Sequence, residues 1–163
     1  MEVARGLLLA AALAGGDGPL VEHQPVPCTV ADKPFSLCAT ISDDNQVAKA
    51  RVYFRPEGQK FYSFVDMAFG GLRYCGTVPA PRAGKVKRVE YYIQGLDNDF
   101  NTQRTSSYWL AIQPEGACDF PPVETDPART TGMVVYATHK NQGKKLPDAF
   151  QSAGVSFVPV QTK

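Results

Sequence analysis

The chain has 163 residues, enough for one ordinary domain and an extension, and carries 17 lysines and arginines against 16 aspartates and glutamates. A net charge of +1 creates no field that gathers nucleic acid or an anionic membrane surface, so neither is expected as a partner. The four cysteines, Cys28, Cys38, Cys75 and Cys118, contain no Cys-x-x-Cys pair, which sets aside a zinc knuckle and a thioredoxin-like redox pair.

From the N-terminus, Arg5 precedes an apolar, helix-prone run from Gly6 to Ala14. Ala12-Leu13-Ala14 places small residues at the two positions a signal peptidase reads, so residues 1–14 are expected to be a signal peptide. The run is too short to span a bilayer, which takes about 20 apolar residues. Export agrees with an even number of widely spaced cysteines, which form disulfides in an oxidising compartment. Residues 15–22 read as a flexible leader.

Short segments of period-two patterning follow, separated by turn residues. Strand A is expected near Val26–Val30, ending at Asp32-Lys33-Pro34, and strand B over Phe35–Ile41. In strand B, Phe35, Leu37, Ala39 and Ile41 share one face, with Ser36, Cys38 and Thr40 on the other. After Ser42-Asp43-Asp44-Asn45, strand C runs Ala48–Arg55, with Ala50, Val52 and Phe54 inward and Arg51, Tyr53 and Arg55 outward. The turn Pro56-Glu57-Gly58 leads to Phe61–Met67, with Val65 and Met67 inward. Strand E is Leu72–Val78, with Leu72, Tyr74, Gly76 and Val78 inward, stopped by Pro79-Ala80-Pro81 because proline cannot donate to a ladder. The basic cluster Arg82, Lys85, Lys87 and Arg88 lacks interleaved aromatics and reads as a solvated loop. Strand F is Val86–Leu96, burying Val89, Tyr91, Ile93 and Gly95, with Tyr91 a core or corner tyrosine. Strand G is Ser106–Ile112 and holds the one tryptophan, Trp109.

Seven short alternating strands with no helical period predict an all-β, two-sheet antiparallel sandwich of the immunoglobulin or fibronectin type III kind over residues 23–118. Residues 119–163 read as a linker and a small C-terminal extension. Within it, Met133–Ala137 and Val155–Val160 have strand patterns and Leu146–Ala153 suits a helical turn begun at Pro147.

The words Pro25-Val26, Ala50-Arg51-Val52-Tyr53-Phe54-Arg55, Tyr74-Cys75-Gly76-Thr77-Val78-Pro79 and Val89-Glu90-Tyr91-Tyr92-Ile93 followed by Asp97 carry a resemblance. Residues 23–118 resemble a bacterial Ig-like/fibronectin type III-like domain of uncharacterised cell-envelope proteins. The chain departs from that pattern after strand F, where Asp-Asn-Ala-Gly-Asn is common and Asp97-Asn98-Asp99-Phe100-Asn101 stands here. The resemblance implies that strands B and E are neighbours, which favours Cys38–Cys75, with Cys28–Cys118 tying the ends. Cys28–Cys38 with Cys75–Cys118 is the rival scheme. Each bridge adds roughly 2–4 kcal/mol.

Chemistry-bearing motifs are sparse. No Gly-x-Ser-x-Gly, His-Glu-x-x-His or phosphate-cradling glycine loop occurs, and no cofactor is indicated. His23 and His139 fall outside the expected sandwich and read as surface residues. A thiol-dependent enzyme would centre on Cys75, with Arg73 beside it and His139 brought from the tail. Asp97 and Asp99 are weak calcium candidates, as are Asp43 and Asp44, because turn-forming carboxylates suit these loops without a metal. Tyr53, Tyr62, Tyr92, Tyr108 and Trp109 are the candidate binding surface, since outward rings stack sugars or anchor proteins. The expectation is an exported, non-enzymatic module for protein contact or scaffolding in the bacterial envelope, in the periplasm, at the cell surface or secreted. Its partner would be an envelope protein. A carbohydrate-binding module is the alternative and a thiol enzyme the third reading.

Overall fold

The computed structural model describes residues 18–119 and 149–150. They form an all-β sandwich of two sheets. The strands, in chain order, are β1 (Leu20–Glu22), β2 (Cys28–Val30), β3 (Phe35–Ser42), β4 (Val47–Pro56), β5 (Ser63–Asp66), β6 (Ala68–Phe69), β7 (Tyr74–Val78), β8 (Arg88–Asp97), β9 (Thr102–Arg104) and β10 (Tyr108–Gln113). The smaller sheet has the order β1-β3-β7-β6. The larger has the order β2-β10-β8-β4-β5, with β9 also on β8. Every pairing is antiparallel except β2 on β10.

Strict alternation builds the core. Ala50, Val52 and Phe54 of β4 and Val89, Tyr91 and Ile93 of β8 point between the sheets. Leu37, Ala39, Val65, Val78 and Leu110 meet them, all fully or almost fully buried. Gly76 sits at a close approach of packed side chains: a Cβ there would lie 3.1–3.3 Å from those of Met67, Val65 and Val52.

Three short strands escape the period-two pattern. Leu20–Glu22, read above as leader, pairs with the end of β3, Leu20 opposite Ser42. β6 and β9 hold two and three residues, too few for alternation to declare itself. Leu72, expected inward, lies instead in the β6–β7 turn and is exposed. The turn bond from Gly70 N–H to Arg73 O, with Gly71 at φ 97°, turns the chain before strand β7 begins at Tyr74.

Both sheets are stapled. Cys38 faces Cys75 directly across β3 and β7, and the pair is bonded. Cys28 at the start of β2 is bonded to Cys118, just past β10. Of the two pairings weighed from the sequence, this is the first. Two disulfides point to an oxidising, extracytoplasmic setting. Among the described residues no helix is long and apolar enough to cross a membrane.

The C-terminal segment reaches the sandwich at Ala149–Phe150. Phe150 is buried and packs edge-on against Phe54, ring centres 5.1 Å apart, and bridges to Pro81. Arg82 holds this contact through its backbone N–H to Ala149 O (2.6 Å) and its Nε to Phe150 O (3.3 Å). Arg82 is solvent-exposed, as expected for its basic cluster, and also docks this segment. The expected signal peptide, the expected strands Met133–Ala137 and Val155–Val160, His139 and the rest of the expected helical turn lie outside the described residues.

Phe150→Ala should cost about 3–5 kcal/mol, the price of emptying an aromatic site in a packed core, seen as a lower urea midpoint for the full chain. A loss below about 1 kcal/mol would show that the segment is not part of the core.

Candidate functional site

The outer face of the larger sheet is built by the same alternation. Arg51, Tyr53 and Arg55 occupy the positions between core residues of β4, and Glu90 and Tyr92 do so in β8. Register then chooses their neighbours: Tyr53 lies opposite Phe64 and Tyr92, Arg51 opposite Asp66, and Arg55 and Trp109 each opposite Glu90. Tyr53 stacks on Tyr92 with ring centres 4.8 Å apart and planes within 10°, and Tyr62 meets Tyr92 edge-on at 5.0 Å.

Guanidinium groups cover the rings. Arg51 lies 4.0 Å above Phe64, Arg55 4.4 Å above Tyr62, Arg104 4.8 Å above Tyr92 and Arg88 4.9 Å above Trp109. Cations prefer the negative face of an aromatic ring, so these contacts hold the side chains flat. Carboxylates pin the other side of the guanidiniums: Arg51 to Asp66 at 2.8 Å, Arg55 to Glu90 at 2.5 Å, and Arg88 to Glu57. Burial raises the Tyr62 and Tyr92 hydroxyls above their ordinary pKa.

Of the five aromatics singled out from the sequence, the structure brings Tyr53, Tyr62 and Tyr92 together, with Trp109 further along the same face. Tyr108 points the other way, toward His23 and Tyr91, with ring centres 5.6 Å from each. The arginines that cover the rings were not singled out. Their signal was present in the Arg-x-Tyr-x-Arg spacing of β4, but contact with rings on other strands depends on register.

His23 is a half-buried structural residue rather than a surface one. Its Nδ1 donates to Cys38 O at 2.7 Å, and Tyr91 Oη donates to its Nε2 at 2.9 Å while accepting from Val26 N–H, also at 2.9 Å. Each group in this chain has one consistent role, which assigns the neutral Nδ1–H tautomer. Burial lowers the His23 pKa, with the Cys38 carbonyl opposing it, and burial pushes Tyr91 up to about 12. Beside His23 lies an open groove lined by Glu22, Ser36, Cys38, Thr40 and Arg73. Cys38 and Cys75 are bonded to one another, so Cys75 carries no thiolate for nucleophilic chemistry.

The acidic loops are occupied by their own amides. Asp97 accepts from Asn101 N–H at 2.8 Å and Asn101 Nδ2 at 2.9 Å, and Asp99 accepts from Asn45 Nδ2. Burial works to raise the Asp97 pKa, and the Asn101 and Asp99 hydrogen bonds outweigh it, leaving the carboxyl below its ordinary value. Asp43 accepts from Asn45 N–H. Among the described residues no three His, Cys, Asp or Glu side chains converge on a metal position; Asp97 and Asp99 accept hydrogen bonds from loop amides.

Compared with protein-family models, curated proteins and solved structures, the chain shows no match in any of the three.

The His23–Tyr91 chain predicts a pH dependence. A histidine with a depressed folded pKa takes up its proton more readily when unfolded. Stability is therefore full above about pH 6.5 and falls as acid is added through the window below it. Urea midpoints should drop on acidification, and His23→Gln should remove that part of the drop. Tyr91→Phe should cost about 1–3 kcal/mol at neutral pH, because it strands the Val26 N–H.

Proposed function

We propose that the chain is an exported, non-enzymatic immunoglobulin-like module that makes protein–protein contacts or scaffolds an assembly in the bacterial envelope. The strand order supports the immunoglobulin-like reading. β1 joins β3, β7 and β6, while β2, the continuation of the same N-terminal stretch, crosses to β10, β8, β4 and β5. This matches the two-sheet arrangement in which strands A, B, E and D face G, F and C. The Tyr91 hydroxyl on the Val26 backbone also resembles the corner tyrosine of such sandwiches, although here it reaches back to the first strands. Two features differ from antibody domains. The smaller-sheet disulfide joins β3 to β7 on the outer face rather than spanning the core, and Phe54 stands in the core of β4 where those domains carry tryptophan.

The observation that carries the protein-contact reading is the state of the ring faces. A sugar binds an aromatic side chain by lying on its face. Here Phe64, Tyr62, Tyr92 and Trp109 each present a face to a guanidinium, and Tyr53 presents one to Tyr92. Tyrosine, tryptophan and arginine held rigid in this way are the residues enriched at the energetic centres of protein interfaces. The two disulfides support placement in the periplasm, at the surface or outside the cell.

Glycan arrays and sedimentation with peptidoglycan should show no saturable binding. A photo-crosslinker replacing Arg104 should capture a discrete envelope protein, and Tyr92→Ala should weaken capture about tenfold. Saturable glycan binding abolished by Trp109→Ala or Tyr92→Ala would overturn this reading in favour of a carbohydrate-binding module.

A further inference from the structure

Strand directions sort the loops into two groups at opposite ends of the sandwich. β3 runs toward one end and β4 leaves it, with Val47 opposite Asp97. β6 and β7 turn at that end, with Phe69 opposite Tyr74. β8 and β9 turn there too, and β1 begins there, with Leu20 opposite Ser42. One end therefore gathers residues 18–20, 43–46, 70–73 and 98–101.

Four of the five exposed large apolar side chains among the described residues stand at this end: Leu20 (59% exposed), Phe69 (55%), Leu72 (88%) and Phe100 (83%). The fifth, Trp109, is on the sheet face. Phe100 is at φ 66°, a left-handed conformation that a bulky side chain rarely adopts. Glycine or asparagine would suit the backbone better, so folding does not account for an aromatic ring there. The loop is held firmly: Asp97 accepts two bonds from Asn101, Asn45 bonds Asp99, and Asn98 bonds Gln46 at 3.2 Å. A ring displayed on a tethered loop loses little freedom when it is bound.

The charges at this end choose among occupants. Loops 43–46, 70–73 and 98–101 carry Asp43, Asp44 and Asp99 against Arg73. Three carboxylates against the cations of Arg73 and, one pair into β4, Lys49 leave this end net acidic, which opposes an anionic lipid surface. They also oppose a second copy meeting this one end to end, because like charges would be brought together. They favour a polypeptide that offers lysine or arginine beside apolar side chains.

We propose that this loop end is a docking surface for a basic protein segment with apolar anchors, Phe100 and Leu72 entering the partner and Asp43, Asp44 and Asp99 meeting its cations. The proposal rests on the protein-contact reading only in that its occupant is a polypeptide.

The test is to pan a random-peptide display library on the immobilised full chain with both disulfides intact. Recovered peptides should be rich in lysine or arginine with leucine or aromatic residues, and should bind more weakly as salt rises. Leu72→Ser with Phe100→Gly should weaken them at least about tenfold without lowering the melting temperature, since glycine relieves the left-handed backbone. Tyr92→Ala, on the sheet face, should leave them unchanged. Acidic or uncharged binders, or a library that returns no peptide separating the two proteins, would overturn the proposal. Flotation with phosphatidylglycerol or phosphatidylcholine vesicles, or self-association, abolished by the loop substitutions would overturn it too. Binders lost on Tyr92→Ala but not on the loop substitutions would move the contact to the sheet face, sinking this proposal and sparing the reading above. Saturable glycan binding would sink that reading.

Discussion

A tyrosine buried in the core must still find partners for its hydroxyl, and how Tyr91 does so shapes the N-terminal third of the fold. Within Pro25-Val26-Pro27 two residues lack an N–H, so Val26 supplies the single backbone donor of that stretch. Tyr91 takes that donor and gives its own proton to His23. The crossing from β1 to β2 is thereby fixed against β8, and one N-terminal stretch can serve both sheets. β2 then lies parallel to β10 with Cys28 in reach of Cys118.

Much of this framework was legible in the sequence. Alternation in 35–41, 48–55 and 86–96 identified the three longest strands and their buried faces, because half-buried antiparallel strands repeat every two residues. The elements that escaped are those with no period to show. β1, β6 and β9 are two or three residues long and owe their existence to the partner strand rather than to their own composition. Phe150 escaped for a related reason. An aromatic residue far beyond Cys118 carries no local mark that it will fill the space beside Phe54. Only the three-dimensional gap at that end of the core calls for it.

The outer face shows where reading by alternation stops. Alternation places Tyr53 and Tyr92 outward, and with them Arg51 and Arg55. It does not say that guanidiniums will lie on rings of other strands, since that requires knowing that Tyr53 is level with both Phe64 and Tyr92. Once register is known, the face changes character. Rings that alternation places outward prove to be partly covered by guanidiniums, and the face is one of bonded charges and packed aromatics. His23 and the loop carboxylates changed in the same way. His23 reads from the sequence as a surface residue and Asp97 as a turn-forming carboxylate, and neither reading names the Cys38, Tyr91 and Asn101 partners that register brings to them.

Two surfaces of different physical state therefore coexist on one sandwich. On the sheet face nearly every polar and aromatic group has a partner within the chain, so binding there must displace or extend existing contacts. At the loop end the side chains with most left to gain are apolar and held away from the core: Phe100 by a left-handed backbone, Leu72 by a glycine turn. Burial of such side chains releases free energy without breaking an internal bond, roughly 25 cal/mol for each Å² removed from water. The loop end has the larger unspent hydrophobic gain, and its three carboxylates select among partners more than they add affinity. The fold thus separates the place where the sandwich stabilises itself from the place where it has most to gain from a partner.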